Sequence, residues 1–107
     1  MTTFDDREKG FEGKFALDQA QDFKAVARRN RLFGLWAAEK MGLSDDGAEE
    51  YAKAVVRADF EQPGDEDVFR KVAGDLKGSG LTLSDSEIRS KMDELLSHAR
   101  EQIREGK

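Results

Sequence analysis

Apolar residues recur every three or four positions in four separate stretches of this 107-residue chain, and nowhere do they alternate as a half-buried strand requires. The first stretch predicts a helix from about Asp18 to Met41. Its middle, Leu32, Phe33, Leu35 and Trp36, is apolar on more than one face and is expected to be the most buried part of the molecule. Gly42 is the stop signal. Ser44 or Asp45 then caps a second helix with the stripe Ala48, Tyr51, Ala52, Val55, Val56 and Phe60, which Gln62-Pro63-Gly64 breaks. Asp65 is the expected N-cap of a short third helix carrying Val68, Phe69, Val72 and Leu76. Gly78-Ser79-Gly80 ends it. Ser84 and Glu87 have capping-box spacing, and the fourth helix follows with Ile88, Met92, Leu95, Leu96, Ala99 and Ile103. Four stripes with three short connections predict an all-α protein, an antiparallel four-helix bundle over residues 18–107.

Residues 1–17 follow a different rule. Phe4, Phe11 and Phe15 lie seven and four residues apart, on one stripe of a helix, with Asp5, Asp6, Arg7, Glu8, Lys9, Glu12 and Lys14 around the rest. Gly10 and Gly13 interrupt that helix, each costing about 1 kcal/mol relative to Ala. A flexible N-terminal segment is therefore expected, frayed when free and helical when its rings find a groove. The plainer reading is an ordinary frayed terminus.

Composition narrows the chemistry. Charged residues make up 38% of the chain and hydrophobic ones 37%, which suits helices with a single apolar stripe. There is no cysteine, so disulfides, thiolate metal sites and a cysteine nucleophile are excluded. No apolar run approaches membrane-spanning length and no signal-peptide pattern opens the chain, so a cytoplasmic protein without direct membrane insertion is expected. The net charge of −5 is uneven: residues 1–31 carry +1 and residues 32–107 carry −6. An acidic bundle repels phosphate backbones, so no nucleic acid is expected as a partner. No long heptad seam is present, and the free chain is expected to be a monomer.

Catalytic residues are not evident. His98 is the only histidine and has no second histidine or cysteine to act with. Neither Asp45-Asp46 nor Asp65-Glu66-Asp67 has calcium-loop spacing, and helix capping accounts for both. Gly74 to Gly80 lacks the Gly-Lys-Ser/Thr ending of a phosphate loop. The one basic cluster, Arg28-Arg29-Asn30-Arg31, has three readings: a solvated helix face, a docking face for an acidic protein surface, or a weak site for nucleotide phosphates. Phe33 and Trp36 would be available to stack a base.

Several blocks carry a family likeness. Met1-Thr2-Thr3-Phe4-Asp5-Asp6-Arg7-Glu8 opens the chain, and Ala27-Arg28-Arg29-Asn30-Arg31-Leu32-Phe33-Gly34-Leu35-Trp36-Ala37-Ala38-Glu39-Lys40 follows. Later come Ala58-Asp59-Phe60-Glu61 and Gly64-Asp65-Glu66-Asp67-Val68-Phe69-Arg70-Lys71-Val72. Together they resemble the zeta-subunit family of alphaproteobacterial F-type ATP synthases, formerly a domain of unknown function. The run from Arg29 to Ala37 is the most specific part.

The resemblance implies a non-catalytic regulator that binds the soluble F1 head and touches its alpha, beta and gamma subunits. Residues 1–17 would enter a catalytic alpha/beta interface and oppose ATP hydrolysis, with Phe4, Asp5, Asp6, Arg7, Glu8, Phe11, Lys14 and Phe15 as the contact residues. Arg28, Arg29, Arg31 and Trp36 would form a secondary contact or a nucleotide site. The resemblance further implies a peripheral place at the inner membrane through F1, with no required cofactor and weak binding of ATP or ADP. Two other functions stay open: a nucleotide-responsive helical bundle and a generic adaptor.

Inhibitory members of that family tend to carry alanine where this chain has Gly10 and Gly13. If the bound segment is helical, two glycines cost about 2 kcal/mol, roughly thirtyfold in affinity, unless burial of Phe11 compensates. The double variant Gly10→Ala, Gly13→Ala is therefore expected to inhibit F1 hydrolysis more strongly. Equal or weaker inhibition in a titration would count against a helical bound segment.

Overall fold

The computed structural model describes residues 22–61 and 64–106. Helix α1 is helical over residues 22–40, α2 spans Asp45–Glu61, α3 Asp65–Gly78 and α4 Asp85–Arg104, with no strand among the described residues. The predicted all-α, four-helix chain is what the structure shows. The N-terminal segment, residues 1–17, lies outside the described residues, as do Gln62 and Pro63.

The helix ends follow from local chemistry. At the end of α1 the amide of Gly42 donates to Glu39 and that of Leu43 to Ala38, with Gly42 at φ 76°. The same pattern closes α3: Gly80 N–H donates to Lys77, Leu81 N–H to Leu76, and Gly80 sits at φ 84°. A left-handed residue satisfies two carbonyls that a helix end would otherwise leave open. Ser84 caps α4, its hydroxyl accepting from the Glu87 amide at 3.1 Å.

At α3 the sequence expectation fails. Asp65 is the first helical residue rather than the cap. Gly64, at φ 143°, occupies the cap position and makes no side-chain capping bond. The Asp65 carboxylate is turned away to an arginine on α1, which offers a full positive charge where a backbone amide offers only a partial one.

Paired residues set the directions. Asn30 meets Asp59 while Arg31, further along α1, meets Glu49, so α1 and α2 run antiparallel. Asp22 meets Arg100 and Trp36 lies beneath Lys91, so α1 and α4 also run antiparallel. The core joins Phe33 and Ala37 of α1, Val55 of α2, Val68, Phe69, Val72, Ala73 and Leu76 of α3, and Ile88 and Met92 of α4. The shortest helix, α3, is thus the hub, and its predicted stripe is fully internal. Phe60 departs from the predicted α2 stripe: it is 66% exposed, its ring lying beside Phe23 of α1 rather than in the core cluster.

Gly34 governs how closely α1 and α2 approach. A Cβ there would stand 2.7 Å from Ala52 Cα and 3.2 Å from Val55 Cγ2. Backbone cannot yield as a side-chain tip can. Gly34→Ala should therefore cost towards the upper end of about 1–3 kcal/mol for overpacking, less the ~1 kcal/mol that alanine gains in a helix, for a net loss of about 1–2 kcal/mol. Denaturant unfolding followed by the fluorescence of Trp36, the single tryptophan, checks this. An unchanged midpoint would show that the two helices part freely.

Candidate functional site

The basic cluster on α1 divides between interior and surface, because successive residues of a helix point about 100° apart. Arg29 and Asn30 are buried, 2% and 1% exposed. Arg29 Nε donates to Asn30 Oδ1 at 2.9 Å and its Nη2 donates to Asp65 Oδ1 at 2.8 Å. Asn30 Nδ2 in turn donates to Asp59 Oδ2 at 3.0 Å, and the other oxygen of Asp59 accepts from the Gly64 amide at 3.3 Å. This chain of polar contacts ties α1 to the end of α2 and the start of α3. No buried side-chain donor or acceptor among the described residues lacks a partner. The expectation of a solvated arginine face is corrected for Arg29 and Asn30, which are structural.

The two outer arginines are accessible but engaged. Arg31 holds both oxygens of Glu49, at 2.8 and 3.0 Å, and Arg28 donates to Gln102 at 3.3 Å. Phe33 is fully buried and stacks on Trp36, with centroids 5.8 Å apart and planes 9° apart. Trp36 packs against the core and lies below Lys91 at 6.0 Å. Phe33 is closed to a base, Trp36 is half-buried with one face on Phe33, and Arg29 has no guanidinium face to offer a phosphate. The structure therefore brings Arg28, Arg29, Arg31 and Trp36 into one stretch of helix without joining them into a pocket. The segment residues Phe4, Asp5, Asp6, Arg7, Glu8, Phe11, Lys14 and Phe15 lie outside the described residues.

The acidic cluster at α3 also finds separate partners: Asp65 with Arg29, Glu66 with Arg89 at 2.9 Å, and Asp67 with Arg70 at 3.6 Å. Capping does not account for it; ion pairing does. Among the described residues no group of three or more acidic or histidine side chains could hold a metal ion. His98 is exposed beside Gln102 at 3.1 Å. Tyr51 donates to Asp75 Oδ2 at 2.7 Å, an oxygen it shares with Lys71 Nζ at 3.2 Å. Burial, the bond to Asp75 and the charge of Asp75 together push the Tyr51 phenol far above its usual range, so it holds its proton at any physiological pH.

An exposed apolar feature with shape lies between α1 and α2. Phe23 and Phe60, 64% and 66% exposed, meet edge to face at 6.4 Å. Beside them Val26, Ala27, Val56 and Asp59 line one hollow. A second, of about 340 Å³, continues along α2 past Ala52, Lys53 and Arg57 to Arg31 and Glu49. That volume is at the small end for a ligand pocket, and apolar walls with charged edges suit the side chains of a helix better. The pattern of the sequence missed this site: Phe60 read as core, and Phe23 carried no distinguishing signal.

The model of the ATPase inhibitor subunit zeta family matches residues 1–102. The chain belongs to that family. It is also similar to a chain with a solution NMR structure, at 49% identity over 79% of this chain and 96% of that one, with a TM-score of 0.68. No curated protein matches. The zeta family is one of ATPase inhibitor subunits, which supports association with ATP synthase and a regulatory rather than catalytic role. No helix among the described residues is long and apolar enough to cross a membrane.

The Arg29–Asp65 contact can be weighed by substitution. Asp65→Ala leaves a buried guanidinium without its carboxylate and should cost about 1–3 kcal/mol, moderated because the Asp65 side chain is itself 66% exposed. Asp67→Ala removes the same charge from the same helical turn but breaks only a pair with the exposed Arg70, and should cost less than about 1 kcal/mol. Equal losses in urea unfolding would mean that the dipole of α3, not Arg29, is what the acids serve.

Proposed function

We propose that this zeta-family chain binds the F1 head of ATP synthase and arrests ATP hydrolysis by inserting residues 1–17 at a catalytic interface between alpha and beta, near gamma. The observation that carries this reading is the extent of the family match, which begins at residue 1 and so includes the segment with Phe4, Phe11 and Phe15. A stripe of three aromatic rings flanked by Asp5, Asp6, Arg7, Glu8 and Lys14 suits a helix that orders in a groove. Burying one phenylalanine is worth about 1.5–3 kcal/mol, so three contribute about 4.5–9 kcal/mol towards ordering the segment, with its backbone hydrogen bonds and flanking charges offsetting the rest. A wedge in a rotary interface blocks the conformational cycle without taking part in bond chemistry, which fits a chain with no catalytic constellation among its described residues. The bundle serves as the anchor, and the enzyme complex holds the chain peripherally at the cytoplasmic face of the inner membrane.

ATP hydrolysis by F1 from the same organism tests the reading, with the full chain and a chain lacking residues 1–17 compared at equal concentration. The full chain should inhibit and the shortened chain should not, while both are retained on F1 in a pull-down. Inhibition by the shortened chain would move the active element into the bundle.

A further inference from the structure

The hollow between α1 and α2 has an apolar floor, two exposed rings and a cationic edge. Arg57 has no partner among the described residues, and Lys53 reaches only Glu50, at 3.8 Å. Arg31, by contrast, is neutralised by Glu49. On a bundle whose residues 32–107 sum to −6, this edge selects for an occupant with an apolar stripe and acidic flanks. Phe23 and Phe60 cover little of each other, so each would gain from burial under further apolar surface.

The chain itself carries a segment of that chemistry, and it enters at the right place. The described chain begins at Asp22, one residue before Phe23. Residues 1–17 bear Phe4, Phe11 and Phe15, with Asp5, Asp6, Glu8 and Glu12 outnumbering Arg7, Lys9 and Lys14 by one. From Phe60 to Glu49 the hollow runs about 16 Å along α2, and seventeen residues reach about 25 Å as a helix. Between Phe15 and Phe23 there is more chain than the two to five residues of a tight helical hairpin. Tethering puts the segment at an effective concentration of order millimolar, so a weak fit suffices.

We propose that the α1–α2 hollow at Phe23 and Phe60 is the resting seat of the chain's own residues 1–17, which leave it to engage their target. The seat is an autoinhibitory contact. Its regulatory consequence rests on residues 1–17 being the inhibitory element, whereas the seat itself does not. A segment seated for ten parts in eleven of the time would bind its target about elevenfold more weakly than a free one.

The absence of native cysteine makes the test direct. Thr3→Cys in the full chain takes a single nitroxide label, and paramagnetic broadening is read across the 15N spectrum. Residue 3 lies about 18 Å along the segment from Phe15, so broadening should concentrate on Glu49, Ala52 and Lys53 and spare Arg100 and Gln102 at the opposite end of the bundle. It should collapse in Phe60→Ser and weaken in Arg57→Glu, both exposed positions, with the unfolding midpoint of Trp36 fluorescence confirming an intact bundle. Broadening spread evenly over the bundle, or unchanged by Phe60→Ser, overturns the seat. Mixing labelled 14N chains with unlabelled 15N chains gives the second decision: broadening in the mixture means that a second copy fills the hollow, which also overturns it.

Phe60→Ser should further strengthen F1 inhibition severalfold if the seat regulates the inhibitor. The two readings fail separately. Focused broadening with no inhibition by any form sinks the inhibitor reading alone. Inhibition that needs residues 1–17, with no focused broadening, sinks the seat alone.

Discussion

The close approach of α1 to α2 at Gly34 is the constraint from which the arrangement follows. With no side chain at Gly34, Ala52 and Val55 come against the α1 backbone, and helices this near can share short polar side chains as well as apolar ones. Four residues earlier, Asn30 is brought within 3.0 Å of Asp59 on α2. Its neighbour Arg29 reaches Asp65 at the start of α3. Phe33 and Ala37, on the inner side of the same helix, enter the core that α3 organises. A larger residue at Gly34 would separate all of these partners at once.

The buried Arg29–Asn30 pair is specific rather than simply stabilising. A desolvated guanidinium is costly, and an apolar residue of similar volume often does as well energetically. What the pair supplies is direction: Asn30 holds the end of α2 through Asp59, and Arg29 holds the start of α3 through Asp65. Arg28 and Arg31, pointing outward from the same run, tie α1 to α4 and α2 through exposed contacts of smaller energetic weight. The most recognisable stretch of the chain is therefore a joint of the scaffold. The partner-binding chemistry we propose lies elsewhere, in the aromatic N-terminal stripe and the exposed Phe23 and Phe60 rings.

That division of labour suits an inhibitor subunit. A bundle held together by a hub helix and a buried polar joint can stay folded while a terminal segment changes partners. The proposed seat and the proposed F1 interface would give a charged, aromatic segment two destinations, which is the requirement for a switch.

Periodicity alone determined the four helices, their glycine stops, the Ser84 cap and the inward stripe of α3, since each depends on residues within one or two turns of one another. The resemblance carried by the Arg29–Ala37 run also pointed to the family. Tertiary structure decided what periodicity could not see. Arg29 and Asn30 read as solvent-facing by composition, yet a salt bridge to Asp65 of α3 and a bond donated to the Asp59 carboxylate of α2, 36 and 29 residues away in sequence, take them inside. Asp65 read as a cap, yet the same arginine claimed its carboxylate. Phe60 fits the buried stripe of α2 in every local respect and is nonetheless exposed, because burial belongs to the neighbour that covers a residue, and its ring meets the equally exposed Phe23 rather than the core. Local sequence fixes which face of a helix is apolar; only the packing of the other helices fixes how much of that face is used.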